Sequence, residues 1–315
     1  MENEQRVSIL VPLYNAEQYI QGTILSCLNQ SYKDLEVIVV DDHSTDKSLE
    51  VARRYESERV HVFQNPRKGG NAARNYAFRM STGEYVKFLD ADDYCSQRMV
   101  ERQMERMIKD GTQDSIVFSP VRMYYGETDN WLFPPHSIEH DYIPGIELLV
   151  DIWRGKGWRV PHCHLMHRSL VEKAGMWDES VLKNQDGEFF ARVYAASDKA
   201  LSVPGEFAVW VQHESGVHAV KSLKAVNSAA STLGVITKLL LDYRDDDEMR
   251  YNCNRYLGTF LYENYADVPQ MLPHFNYVAH QLGLKPLLPQ RRIIKILSLF
   301  MGWKFALKVI KKCNL

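Results

Sequence analysis

Two runs near the start of the chain, VSILVPL at residues 7–13 and LEVIVV at 35–40, are apolar almost without interruption. A strand with one face in water alternates apolar and polar side chains. An unbroken apolar run of strand length instead calls for a sheet covered on both faces. Residues 60–64 and 85–89 read as further strands, and the stretches about 16–29, 46–55, 71–80 and 96–110 have amphipathic helical spacing. Ser44 or Asp46 can cap the second of these helices. This βαβα rhythm predicts an α/β fold, a mostly parallel doubly wound sheet flanked by helices, with its ligand at the carboxyl ends of the strands.

After residue 115 the rhythm changes. Residues 115–124, about 200–203 and 207–212 read as strands among short helices and aromatic loops, while 219–283 is mainly helical with breaks near 245–247 and at Pro269. The expected organisation is one α/β domain over 1–217, in halves of about 1–114 and 115–217. A helical extension over 218–289 and a basic amphipathic tail over 290–315 follow.

Charge separates these parts. The 315 residues carry 38 Lys and Arg against 40 Asp and Glu, a formal net charge of −2. Seven basic side chains (Arg291, Arg292, Lys295, Lys304, Lys308, Lys311, Lys312) and no acidic ones fall in 290–315, which leaves −9 on the rest. An acidic body is unsuited to wrapping nucleic acid, whereas a cationic apolar tail suits an anionic surface. Five scattered cysteines without a CxxC pair argue for reducing, cytoplasmic surroundings. The opening MENEQR lacks the basic start and apolar core of a secretory signal.

VKFLDADDYC places Asp90, Asp92 and Asp93 directly after the fourth apolar run. Crowded carboxylates repel one another and resist desolvation, so the cluster needs a positive partner. In an extended segment Asp90 and Asp92 project to one side. Two hard oxygen ligands at a strand's carboxyl edge favour Mg2+ or Mn2+, with phosphates completing the shell. The plainer alternative is a cap for the next helix. Two neighbouring strand ends also carry chemistry. VPLYN leaves Pro12, Tyr14 and Asn15 at the first, where an aromatic ring can lie against a base. Asp41 and Asp42 close the second, and a carboxylate there can accept the imide N–H of a uracil. KGGNAARN, residues 68–75, is a glycine turn opening a helix, with Arg74 one turn inside and able to approach anions. It matches neither GxGxxG nor GxxxxGK[ST].

In this order, VSILVPLYNAEQYI, SCLNQSYKDLEVIVVDDHSTDKS and GGNAARNYAFRMSTGEYVKFLDADD resemble the family 2 glycosyltransferases of the GT-A fold, over roughly the first two-thirds of the chain. The resemblance implies a nucleotide-diphosphate sugar donor, in the first instance a UDP-sugar, used with inversion. The sugar would pass to a hydroxyl of a saccharide or lipid-linked acceptor in cell-surface polysaccharide or glycolipid assembly. It sets Asp42 on the base beside Pro12, Tyr14 and Asn15. Arg74 and Ala91 also line the donor site, Asp90 lies near the ribose, and Asp92 binds Mn2+ or Mg2+.

NQDGEFFARVY, residues 184–194, resembles the motif that supplies this family's catalytic base, with Gln185 where a glutamate is frequent. Asp186 is then the general base and Glu188 its understudy; the plainer reading makes Asp186 a helix cap. EKAGMWDES, residues 172–180, resembles the stretch that precedes the base. His213, in VWVQHESGV, falls where a family histidine reaches the metal or diphosphate, with Val211 in place of an upstream arginine.

HCHLMH at 162–167 invites a zinc reading, but His162 and His164 would share a strand face with Cys163 turned away, so the cluster reads as structural or acceptor-lining. The tail is too interrupted by lysines to span a bilayer. A bend at Gly302 would gather its basic groups on one side, with Trp303, Leu307 and Ile310 toward lipid, giving peripheral contact with the inner membrane face through 291–312. The competing reading packs this helix on the protein's own core or on a homodimer partner. Two rival functions stand beside the transferase. A nucleotidyltransferase would want a basic glycine-rich loop that VPLYNAEQY lacks; a non-catalytic nucleotide-sugar or carbohydrate binder is left open by Gln185.

Overall fold

The computed structural model describes residues 5–125, 130–134, 137–212, 222–289 and 302–312. Its opening elements are β1 (Val7–Leu13), α1 (Ile20–Leu28), β2 (Leu35–Asp41), α2 (Ser48–Arg53), β3 (Val60–Gln64), α3 (Gly70–Met80) and β4 (Tyr85–Phe88). Then come β5 (Tyr94–Cys95), α4 (Met99–Asp110), β6 (Ser115–Phe118), β7 (Val121–Tyr125), β8 (Asn130–Leu132) and α5 (Ile146–Trp153). They are followed by β9 (His164–His167), α6 (Arg168–Ala174), α7 (Gln185–Ala196), β10 (Lys199–Ser202) and β11 (Ala208–Val211). Helices α8 (Leu223–Tyr243), α9 (Asp247–Tyr265), α10 (Leu272–Gln281) and α11 (Trp303–Lys312) close the chain. By its contacts the chain divides into two units, residues 1–179 with 189–216 and residues 180–188 with 217–315.

The first unit is built on a seven-stranded sheet of order β10-β6-β9-β4-β1-β2-β3. The pairs β1–β2, β1–β4, β2–β3 and β6–β10 are parallel, and only β9 runs against its neighbours. Every residue of β2 is buried, and so is all of β1 except Pro12, as the unbroken apolar runs require of central strands. Each such Val, Ile or Leu contributes about 1.5–3 kcal/mol relative to exposure, and the buried Glu36 of β2 is accommodated by hydrogen bonds from Ser8 Oγ and from the N–H groups of Thr82 and Gly83. The chain steps from β1 outward through β2 and β3, then returns to place β4 on the other side of β1. In a doubly wound sheet that reversal opens a crevice beyond the strand ends.

The stretch 115–124 is two strands rather than one. Ser119 N–H donates to the carbonyl of Cys163 and Pro120 gives its carbonyl to Ala208 N–H. Proline has no N–H to continue a ladder, so the chain changes sheets there. β7 joins a second sheet of order β5-β11-β7-β8.

In the second unit α8 packs with α9 and α10 through buried Val226, Leu233, Ile236, Leu257, Leu261 and Phe275. The break at 245–247 is a capped helix start, where Met249 N–H donates to Asp246 Oδ1 at 2.7 Å. Gly302, at φ +71°, precedes α11, but the face of α11 differs from expectation. Leu307 and Ile310 are buried, Trp303 lies 5.2 Å from Tyr265 of α9, and Lys311 pairs with Asp267. The apolar stripe is satisfied by the protein's own α9, so it is not turned to lipid. The outward face is Lys304, Phe305, Lys308 and Lys312. Arg291, Arg292 and Lys295 lie outside the described residues, and among those described no helix is long and apolar enough to cross a membrane.

Candidate active site

The loops after β1 and β2 interlock. Asn15 N–H donates to Ser44 Oγ at 3.1 Å, and Asn15 Oδ1 accepts from Thr45 N–H at 2.8 Å. Ala16 N–H donates to Ser48 Oγ and Lys47 N–H to Glu17 Oε2. Asn15 and His43 take left-handed backbone conformations, φ +47° and +62°, which asparagine and histidine tolerate better than most residues. Asn15 is thus a loop organiser whose side chain is engaged by protein. Its neighbour Tyr14 projects, 49% exposed, with Lys68 Nζ 6.0 Å from its ring centroid. Pro12 is partly exposed at the end of β1.

Asp42 is 6% exposed, and its oxygens accept from Asn65 Nδ2 at 2.8 Å and from Gly69 N–H at 2.8 and 3.0 Å. Gly69 sits at φ +137°, ψ +133°, a conformation that glycine reaches without strain. That is why KGGN carries a glycine here. An ionised carboxylate offers about four acceptor positions, so Asp42 retains capacity for one more donor. Asp41 is buried too; its Oδ2 accepts from Ser44 N–H at 3.3 Å, and its Oδ1 has no hydrogen-bond partner among the described residues.

The acidic stretch after β4 is a turn, closed by Asp93 N–H donating to the Asp90 carbonyl at 3.1 Å. The alternation that would aim Asp90 and Asp92 to one side therefore does not apply, because the strand has already ended at Phe88. The three carboxylates separate. Asp90 accepts from Arg74 Nη2 at 2.8 Å, Asp92 is half-buried, and Asp93 is buried with Val211 N–H on its Oδ1 at 2.8 Å. Ala91 is buried, and its carbonyl accepts from Thr23 Oγ1 at 2.8 Å. Part of the positive charge that the cluster requires is thus Arg74. The same guanidinium lies 4.6 Å from the Trp177 ring, and Asn71 and Asn75 of α3 donate to the carbonyls of Asp178 and Trp177. The GMWDE stretch is so fastened to α3, and Trp177 stacks on Phe189 at 4.1 Å.

Asp186 lies in the first turn of α7, half-exposed, while Glu188 is buried. The residues up to Glu188 group with the second unit and those from Phe189 with the first. A Cβ at Gly187 would come within 2.4 Å of Asn184 Oδ1, so a larger residue there would have to displace that amide. His213 lies outside the described residues.

His162 and His164 do not share a strand face: the first belongs to a 3-10 turn, Pro161–Cys163, and the second opens β9. Both are fully buried and hydrogen-bonded, His162 Nε2 to the Val209 carbonyl at 3.1 Å and His164 Nε2 to Tyr194 Oη at 2.7 Å. Burial pushes His162 down to about 4 and His164 well below the ordinary histidine range, so both rings are neutral near pH 7. Lys87 in β4 is 0% exposed, and its Nζ donates to the carbonyls of His162 and His164 at 2.8 and 2.7 Å. Sequence reasoning passed over Lys87, whose one signal was a lone lysine inside VKFL, and counted Asp93 in the acidic cluster without giving it a role of its own.

Among the described residues no group of three or more His, Cys, Asp and Glu side chains could hold a metal ion. The turn offers one or two carboxylates, the donor set that Mg2+ accepts when substrate phosphates fill its other positions. Half-exposed Asp92 fits that open arrangement.

The family model for glycosyl transferase family 2 matches residues 8–175, more than half of the chain. The chain belongs to that family. An uncharacterized glycosyltransferase of Haemophilus influenzae is 43% identical over 110 residues, 34% of this chain and 44% of that one. A UDP-Glc:alpha-D-GlcNAc-diphosphoundecaprenol beta-1,3-glucosyltransferase of Escherichia coli, WfaP, is 35% identical over 124 residues, 39% of this chain and 47% of that one. The matched part of the chain thus spans about half the length of these curated relatives. Among solved structures, S. aureus TarS 1-349 in complex with UDP-GlcNAc superposes with a TM-score of 0.70 at 15% identity, covering 98% of this chain and 92% of that one. This similarity shows the fold, that of a GT-A glycosyltransferase.

Proposed function

We propose that this chain is an inverting glycosyltransferase that moves a sugar from a UDP-sugar to a hydroxyl acceptor in cell-surface polysaccharide or glycolipid assembly. The observation that carries the reading is the alignment of strand ends at the sheet's reversal. Register pairs Leu13 with Asp41, and Leu89 N–H donates to the Leu10 carbonyl. Tyr14, Asp42 and the acidic turn are therefore held along one edge of the sheet. The UDP-Glc donor of the relative WfaP and the UDP-GlcNAc complex of TarS support the choice of a UDP-sugar.

A divalent cation, when bound, supplies positive charge to the departing diphosphate. Tyr14 and Pro12 hold the base, Asp42 accepts its N–H, and Asp92 is the carboxylate that holds the cation. Asp186 takes the proton of the acceptor hydroxyl as that oxygen bonds to the anomeric carbon and the bond to the diphosphate breaks. One displacement inverts the configuration, and the nucleoside diphosphate leaves. The exposed basic face of α11 rests on an anionic inner membrane surface; liposome flotation unaffected by deleting 291–315 would refute this.

A thermal-shift screen of nucleotide sugars, with and without Mn2+, tests the reading. A bound donor at 100 times its Kd adds about 2.7 kcal/mol of stability. One UDP-sugar should raise the Tm in the presence of Mn2+ and be consumed when acceptor extract is supplied. Stabilisation without any turnover would instead favour the non-catalytic binder.

A further inference from the structure

We propose that Asp93 and His162 are positioning residues that hold the acidic turn against β11, so that Asp92 is presented in the geometry that metal binding needs. The inference rests on the donor-and-metal reading above and goes one step beyond it, since both side chains are buried, Asp93 at 3% and His162 at 0% exposure.

The reason such a device is needed is the shortness of β5. Its ladder with β11 has two rungs, Ala208 with Cys95 and Val209 with Tyr94. Ala208 N–H and Gln212 N–H donate toward the β7 side, to the carbonyls of Pro120 and Tyr124. Backbone groups alternate sides along a strand, so those of Val209 and Val211 face the turn. There the ladder is continued by side chains. Asp93 Oδ1 accepts from Val211 N–H at 2.8 Å, and His162 Nε2 meets the Val209 carbonyl at 3.1 Å. A carbonyl only accepts, which puts the ring proton on Nε2. The other ring nitrogen, Nδ1, lies 3.4 Å from Asp93 Oδ2 but makes no hydrogen bond to it, since both are acceptors in this tautomer; Asp93 is tied in through Val211 N–H instead.

His162 is in turn held from below. Lys87 Nζ ties down the carbonyls on either side of Cys163. A single buried chain of polar groups therefore runs from β4 through the 3-10 turn to β11 and back to the residue next to Asp92. Buried polar groups demand their partners, which fixes where this turn stands. A misplacement of about 1 Å in a binding constellation can cost about 100-fold.

Isothermal titration of UDP, with and without Mn2+, separates positioning from simple stability. The wild-type protein should bind UDP more tightly with Mn2+. Asp93→Ala, which removes the acceptor for Val211 N–H, should reduce that metal-dependent gain at least about tenfold and leave metal-free UDP affinity unchanged. Asp93→Asn keeps an acceptor oxygen and should recover most of the gain. Should Asp93→Ala fail to fold, His162→Leu against His162→Gln repeats the test, because glutamine retains a donor for the Val209 carbonyl. A full metal-dependent gain in Asp93→Ala or His162→Leu overturns the inference, and so does equal impairment within either pair. Absence of any gain in the wild-type protein overturns the donor-and-metal reading and this inference with it.

Discussion

The acidic pair after β2 and the acidic triplet after β4 stand at the ends of strands flanking β1, yet they are stabilised in opposite ways. Asp42 receives neutral donors, the Gly69 N–H and the Asn65 amide. Asp90 receives the full charge of Arg74. Hydrogen bonds from N–H groups favour the ionised carboxylate without cancelling its charge, whereas a guanidinium cancels it. The loop after β2 is therefore suited to accepting one more N–H, as a base would offer. The turn after β4 divides its labour: Asp90 pairs with Arg74 and Asp93 fastens the turn to β11, while Asp92, half-buried between them, is the carboxylate proposed for the cation. The partners, rather than the residue type, decide what each aspartate does.

The largest expected effect lies in neither loop. Asp186→Asn should lower transfer by about 1,000-fold or more while UDP binding survives, measured by a transfer assay beside titration; retained turnover would return Asp186 to a helix-capping role. Next, Asp92→Asn should cost about 100-fold in kcat/KM and abolish the dependence on Mn2+. Asp42→Asn should raise the KM for the donor about tenfold with the Mn2+ dependence intact. If both variants lose metal dependence alike, the division between the two loops fails.

Arg74→Met probes the charge that distinguishes the turn. It takes the cation from partly buried Asp90 and from the face of Trp177, and should destabilise the protein by about 2–3 kcal/mol in urea unfolding. A loss below about 0.5 kcal/mol would mean that water serves Asp90 as well as Arg74 does.

Acid should act through the turn's side of the comparison. His162, depressed to about 4 by burial, stays neutral in the folded protein where the unfolded chain has already taken up a proton. Stability is therefore full above about pH 6.5 and falls as pH drops from there toward 4, by about 1.4 kcal/mol per pH unit for this ring. His164, depressed in the same direction and for the same reason, adds to the slope. Urea unfolding between pH 7 and 4.5 measures it; a flat profile would show that the rings titrate normally.

Much of residues 1–114 was legible because the signals there are local. The apolar runs gave β1 and β2, and the residues just past them gave Tyr14, Asp42 and the acidic turn. What stayed hidden depends on partners far along the chain. Asp93 meets Val211, 118 residues later, and no spacing rule reaches that far. The pairing of Asp90 with Arg74 was hidden too, because a helix residue one turn in gives no sign that it will reach the turn. Residues 115–124 read as one strand because apolar residues stand on both sides of Ser119–Pro120, although the missing N–H of Pro120 ends the pairing. In α11 the stripe of Leu307 and Ile310 fits either lipid or α9, since both are equally apolar. Only the fold shows which surface covers it.

In the proposed mechanism the acidic turn accepts a divalent cation together with a diphosphate. Isothermal titration of the unmodified protein with UDP, first with Mn2+ and then with chelator, tests this most directly. At least a tenfold gain in affinity with Mn2+, reversed by chelation, is the expected result. Equal UDP affinity in both conditions would contradict it.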